Sequence, residues 1–145
     1  MATIDELRKI RIEKLKKLEA AGILAYPART SRTHTISEAL KNFGKLSKAP
    51  ASAKASARRV KTIVFAGRIM AMRGHGGATF LDIQDGTAKI QALIKQDKVG
   101  EKGNQFFMDV FDIADFIEVK GDLFTTQRGE KTIEVSDYKM LSKAL

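Results

Sequence analysis

The chain has 145 residues, 43% apolar and 30% charged, enough for one folded core plus an appendage, and it lacks cysteine, which excludes disulfides, thiolate metal sites and a thiol nucleophile. No apolar run approaches the roughly 18–20 residues that cross a bilayer, and the first residues lack the apolar stretch of a secretory leader, so no membrane-spanning segment is expected, while the lack of cysteine suits a reducing cytoplasm. The net charge of +9 is unevenly spread: residues 1–59 hold 14 basic and 5 acidic side chains, and residues 60–145 hold 12 of each.

All of the excess positive charge therefore lies in the N-terminal segment. That asymmetry points to an anionic partner, nucleic acid before a membrane surface, with a basic helix kept for solubility as the plain alternative. Residues 3–21 (TIDELRKIRIEKLKKLEAA) read as a helix. Thr3 and Glu6 have capping-box spacing, Asp5 and Glu6 suit the first turn, and Gly22 is a natural stop. Ile4, Leu7, Leu15 and Leu18 share one face, interrupted by Arg11, so docking that stripe leaves Lys9, Lys16 and Lys17 exposed. YPARTSRTHT (26–35) is irregular, and Ser37 is placed to cap a short helix over 38–43. GKLSKAPASAKASARR (44–59) is an Ala/Ser/Lys-rich linker. Residues 1–59 are thus a basic helical extension ending in a linker.

From residue 60 the period changes to two, the repeat of a strand. VKTIVFAGRIMAMR (60–73) is one long strand, with Gly67 as a site for a bend or bulge. A flexible RGHGG loop leads to ATFLDIQD (78–85), and DGTA turns into KIQALIK (89–95). Residues 99–111 suit a helix with Phe106, Val110 and Phe107 or Phe111 on its apolar side. DFIEVKGDLFTT (115–126), a QRGE turn and KTIEVSDYKML (131–141) complete the chain. Three strands, a helix and two strands are the order of an OB-fold, a mainly β architecture in which five strands form a barrel with a helix between the third and fourth. Its usual nucleic-acid site is the face of strands 2 and 3. Residues 60–145 form this domain.

Strand parity sorts the two faces. Leu81 and Ile83 point inward, so Phe80, Asp82 and Gln84 are on the wet face. In the third strand Ile90, Ala92 and Ile94 point inward and Lys89, Gln91 and Lys95 outward. In the fifth, Ile133 and Val135 are inward, Thr132 and Glu134 outward, with Glu130 in phase at the hairpin mouth. Arg73 closes the first strand, its face depending on whether a bulge intervenes.

An exposed ring with an acid, an amide and a guanidinium nearby suits one unstacked base. The ring offers a platform worth about 1–3 kcal/mol. Uracil presents N3–H between two acceptor oxygens, which a carboxylate flanked by an amide and a guanidinium complements. Cytosine sets a lone pair against the carboxylate instead. The GHGG run is not followed by GK[ST], so it is no nucleotide P-loop, and His75 and distant His34 without cysteine make no metal site.

The chain resembles the N-terminal anticodon-binding region of bacterial-type class II lysyl-tRNA synthetases. The likeness runs through LRKIRIEKLKKLEAAGI, YPARTSRTHT, AGRIMAMRGHGGATFLDIQDGTAKIQ and GDLFTTQRGEKTIEVSDYKMLSKAL. Aspartyl- and asparaginyl-type synthetases share a similar loop, whereas RTHT, the GE hairpin and the KAL ending favour lysine. The resemblance implies that Phe80 stacks on the middle anticodon base, a uridine, while Arg73, Gln91 and Glu130 read its edge. It implies phosphate contacts from Arg68, Lys9, Lys16 and Lys17. Ala71 and Met72 stand where such proteins often have Lys or Arg, which weakens phosphate contact there. A catalytic domain using ATP and Mg²⁺, and forming a homodimer, would follow Leu145; within these 145 residues no catalysis, cofactor or metal is expected. The rivals are a general single-strand binder and a protein-interaction barrel.

Overall fold

Alternating apolar side chains along five strands close a sheet upon itself. The computed structural model describes residues 3–23, 26–27, 29–47, 62–75 and 77–145. The strands are β1 (Ile63–His75), β2 (Ala78–Gln84), β3 (Lys89–Lys95), β4 (Phe116–Thr125) and β5 (Lys131–Ser142). They form a closed barrel in the order β1-β2-β3-β5-β4, every pairing antiparallel except β3 with β5. Phe65, Leu81, Ile83, Ile94, Leu123 and Ile133 are fully buried inside it, as period two requires. Each contributes about 1.5–3 kcal/mol of apolar burial.

β1 contains the irregularity that matters most. Its register against β2 shifts between Ile69 and Ala71. Ile63, Phe65 and Ile69 point inward before the shift, and Met72 packs against the core after it. Without the extra residue, Arg73 would share the parity of Ile69 and enter the core; the bulge turns it outward. The bulge lies two residues beyond Gly67, not at it. Gly67 serves instead a close approach, since a Cβ there would sit 2.8 Å from the Gln84 carbonyl oxygen. The RGHGG loop is also shorter than expected, because Arg73, Gly74 and His75 are still paired with β2. Residues 48–61, with most of the linker and the expected first residues of β1, lie outside the described residues, as does Gly76.

Between β3 and β4, α4 (Gln96–Val110) begins three residues before the expected 99 and is broken at Gly100 (φ 82°, ψ 161°). Phe107, Val110 and Phe111 are buried and Phe106 is half-buried. Phe107 and Phe111 both meet the Tyr138 ring edge-on, at 5.5 and 5.3 Å between centroids.

α1 (Ile4–Ala20) has the expected capping box: Glu6 N–H donates to Thr3 Oγ1 at 3.2 Å, and Thr3 N–H to Glu6 Oε2 at 2.7 Å. Its apolar stripe docks only in part. Leu18 is buried and Leu15 packs on the core, but Ile4 is 83% exposed and Leu7 49%. Polar anchors take the middle turns: Arg11 donates to the carbonyls of Ile113 and Ala144, and Lys14 pairs with Asp112 at 2.6 Å. α2 (Ile36–Lys41) is capped by Thr35, not Ser37, through Glu38 N–H to Thr35 Oγ1 at 3.1 Å. The start moves earlier because Asp85, in the β2–β3 turn, accepts Ile36 N–H at 2.9 Å, while Thr87 Oγ1 takes Ser37 N–H. α3 (Phe43–Leu46) replaces the first residues of the expected linker, and Ile36, Ala39 and Phe43 join the barrel core.

Candidate functional site

Residues paired across a sheet share a face, and the register assembles one row on the barrel's outer side. Arg73 on β1 faces Phe80 on β2; Asp82, two residues along β2, faces Gln91 on β3; Gln91 faces Thr132 on β5. Phe80 is half-buried, lies outside the core cluster and stacks on no described ring, as an outward position predicts.

The Arg73 side chain is half-exposed, and its Nη1 and Nη2 donate to the two oxygens of Asp82 at 3.3 and 3.2 Å. The hydrogen bond and charge of Asp82, with a smaller contribution from the charge of Glu130, raise the guanidinium pKa above its ordinary value. Gln91 donates an amide N–H to Thr132 Oγ1 at 3.3 Å, leaving its second N–H for a ligand. Thr132, expected on the wet face, is completely buried. Its hydroxyl lies between the Gln91 amide and the Glu130 carbonyl, to which it donates at 3.2 Å.

The β4–β5 turn sets Glu130. Gly129 adopts φ +86°, a left-handed conformation that other residues enter at a cost. Thr126 and Glu130 then close the hairpin, with Thr126 N–H donating to the Glu130 carbonyl at 2.9 Å and Glu130 N–H to Thr126 Oγ1 at 3.1 Å. The Glu130 side chain stays exposed.

Arg73, Gln91 and Glu130 line one open hollow of about 420 Å³, joined by Asp82, Leu40, Lys89, Ile90, Gly129 and Lys131. Phe80 does not line it but neighbours it, through Arg73 opposite and Asp82 alongside. The three polar residues singled out by sequence are thus brought together with the ring beside them. Arg68 sits on another part of β1's outer surface, its guanidinium 4.6 Å from the centroid of Phe116. Lys9, Lys16 and Lys17 are exposed on α1 and do not line the hollow. Among the described residues no group of three or more His, Cys, Asp or Glu could hold a metal ion.

Sequence reasoning placed Asp82 on this face without giving it a part, although its spacing of two from Phe80 was the available signal. Leu40 and Lys131 were missed. Leu40 reaches the hollow only because α2 docks on the barrel, and nothing in local periodicity reports that docking.

A family model described as an OB-fold nucleic acid binding domain, of the tRNA anticodon type, matches residues 63–141. Among curated proteins, the chain is 42% identical over 142 residues to the lysine–tRNA ligase of Carboxydothermus hydrogenoformans, covering 98% of this chain and 26% of that protein. It is 40% identical to the lysine–tRNA ligase of Pelotomaculum thermopropionicum with the same coverage. The lysine–tRNA ligase of Christiangramia forsetii is 36% identical across all of this chain. The chain spans about a quarter of the length of these relatives.

Proposed function

From the premise that the chain belongs to the tRNA-anticodon family of OB-fold nucleic acid binding domains, we propose that it reads the middle anticodon uridine of lysine tRNA for a lysine–tRNA ligase. One observation carries the reading: a guanidinium, a carboxamide and a carboxylate line a single hollow beside an outward aromatic ring. Phe80 stacks on the base. Glu130 accepts N3–H, while the free N–H groups of Gln91 and Arg73 donate to the flanking oxygens. Cytosine turns an unprotonated N3 toward the same carboxylate, leaving two acceptors face to face. Arg68, Lys9, Lys16 and Lys17 contact phosphates of the stem-loop, adding affinity without base choice.

The relatives' name, lysine–tRNA ligase, supports the joining of lysine to tRNA as the activity of the whole protein. The use of ATP and Mg²⁺, a homodimer, a cytoplasmic setting and catalytic residues outside these 145 belong to the same proposal and follow from the resemblance to class II lysyl-tRNA synthetases. Titration of the chain with an anticodon stem-loop bearing UUU, and with the same stem-loop bearing UCU, tests the base assignment. The reading expects the change to weaken binding by about 1–3 kcal/mol. Equal binding of both would make this a general single-strand binder, and binding of neither a protein-interaction module.

A further inference from the structure

The row across the sheet contains a carboxylate that base recognition does not require. Asp82 stands at its centre, diagonal to Arg73 across the β1–β2 ladder and directly opposite Gln91. Its side chain is about one-quarter exposed, and it lines the same hollow. An acid there works against an anionic ligand, since like charges repel phosphate. Its contacts give a reason for it. Both oxygens are engaged by the two terminal nitrogens of Arg73, at 3.3 and 3.2 Å.

We infer that Asp82 is the positioning residue of Arg73, holding the guanidinium in the orientation that reads the base edge; the inference rests on the uridine reading above. A guanidinium has five N–H donors in a rigid plane. End-on pairing with Asp82 uses one N–H on each terminal nitrogen, and leaves the outer N–H of each and the Nε–H for a ligand. An arginine at a strand end has several free torsions, and fixing them before the RNA arrives removes part of the ordering cost of binding. The pairing also offsets the guanidinium charge, so Arg73 is disposed to donate directed hydrogen bonds rather than to seize the nearest phosphate. Selectivity for the base, more than total affinity, is what Asp82 contributes.

The experiment is a double-mutant cycle on the full chain, with UUU and UCU stem-loops as probes. Wild type is measured first, and equal binding of both probes there ends the uridine reading itself rather than this inference. Given discrimination by wild type, Asp82→Asn reduces the UUU-over-UCU preference by about five- to tenfold. In an Arg73→Ala background the same substitution leaves the preference unchanged. A loss of preference that persists without Arg73 would show that Asp82 acts by itself, and an undiminished preference in Asp82→Asn, with or without tighter binding, would reduce it to a mere source of repulsion; either result overturns the inference. Guanidinium NMR of the free wild-type chain needs no substitution. Slow rotation, seen as separate Nη–H signals for Arg73, is expected, and one averaged signal contradicts a held side chain.

Discussion

Arg73 and Phe80 face one another directly across the β1–β2 ladder, although uninterrupted alternation along β1 would have turned Arg73 into the barrel. The one-residue shift between Ile69 and Ala71 makes the difference. A guanidinium and a ring so paired can hold the edge and the face of one base at once, with Gln91 and Glu130 lining the hollow beside them.

Replacing Phe80 separates stacking from folding. The ring is half-buried and outside the core cluster, so Phe80→Ala should leave the thermal midpoint nearly unchanged. Stem-loop affinity should fall by about tenfold or more, the loss of one stacking platform. Fluorescence anisotropy with a labelled stem-loop reads the affinity, and wild-type binding by a folded Phe80→Ala removes the platform from the mechanism.

The basic helix should act differently. Lys9, Lys16 and Lys17 are exposed on α1 and carry no base-reading geometry. Changing all three to Gln should weaken UUU and UCU stem-loops by the same factor. If each touches a phosphate, the slope of log affinity against log salt should flatten by about 2–3. An unchanged slope means that α1 does not touch the RNA backbone.

Most of the strand content was legible because one face of each strand is buried and the other wet: β3 spans Lys89–Lys95, the very residues whose alternation marks it. The inward set of Leu81, Ile83, Ile133 and Val135 follows from the same pattern. Features set by contacts distant in sequence were not legible. Thr35 became the α2 cap because Asp85, some fifty residues on, took the first helical N–H. Thr132 has outward parity yet is buried, because the Gln91 amide and the hairpin cover it. The exposure of Ile4 and Leu7 reflects where α1 is anchored, at Arg11 and Lys14, which helical periodicity does not encode.

Among the described glycines, Gly121 leaves the least room for a side chain. It pairs with both Ile63 on β1 and Val135 on β5, at a register shift in β4. A Cβ there would lie 1.9 Å from the Glu134 carbonyl oxygen, a backbone atom that cannot swing aside. Gly121→Ala should therefore force the β4–β5 pairing apart and cost about 3 kcal/mol or more. Urea unfolding measures the loss, and a shift of only a few tenths would show that the strands part there without cost.

Acid should loosen the attachment of α1 to the barrel through Asp112. One oxygen accepts from Lys14 at 2.6 Å and the other from Lys143 at 2.7 Å, while the fully buried Lys143 also pairs with Asp115 at 2.6 Å. Burial works to raise the Asp112 pKa, but the hydrogen bonds and charges of the two lysines outweigh it and hold the carboxyl below its ordinary value. The sign follows: near and below the ordinary carboxylate pKa the unfolded chain binds a proton there that the folded chain still lacks. Stability from this group is therefore complete well above pH of about 4 and is lost as pH falls toward the depressed value. Asp112→Asn should be less stable than wild type at neutral pH by about 1–3 kcal/mol, and the gap should narrow steadily below a pH of about 4. Chemical denaturation of both proteins across that range isolates Asp112 from other acid-sensitive groups, Asp85 among them, whose carboxyl is also held low by the backbone N–H groups around it. A gap that stays constant into strong acid would mean that the Lys14 and Lys143 contacts do not depend on the Asp112 charge.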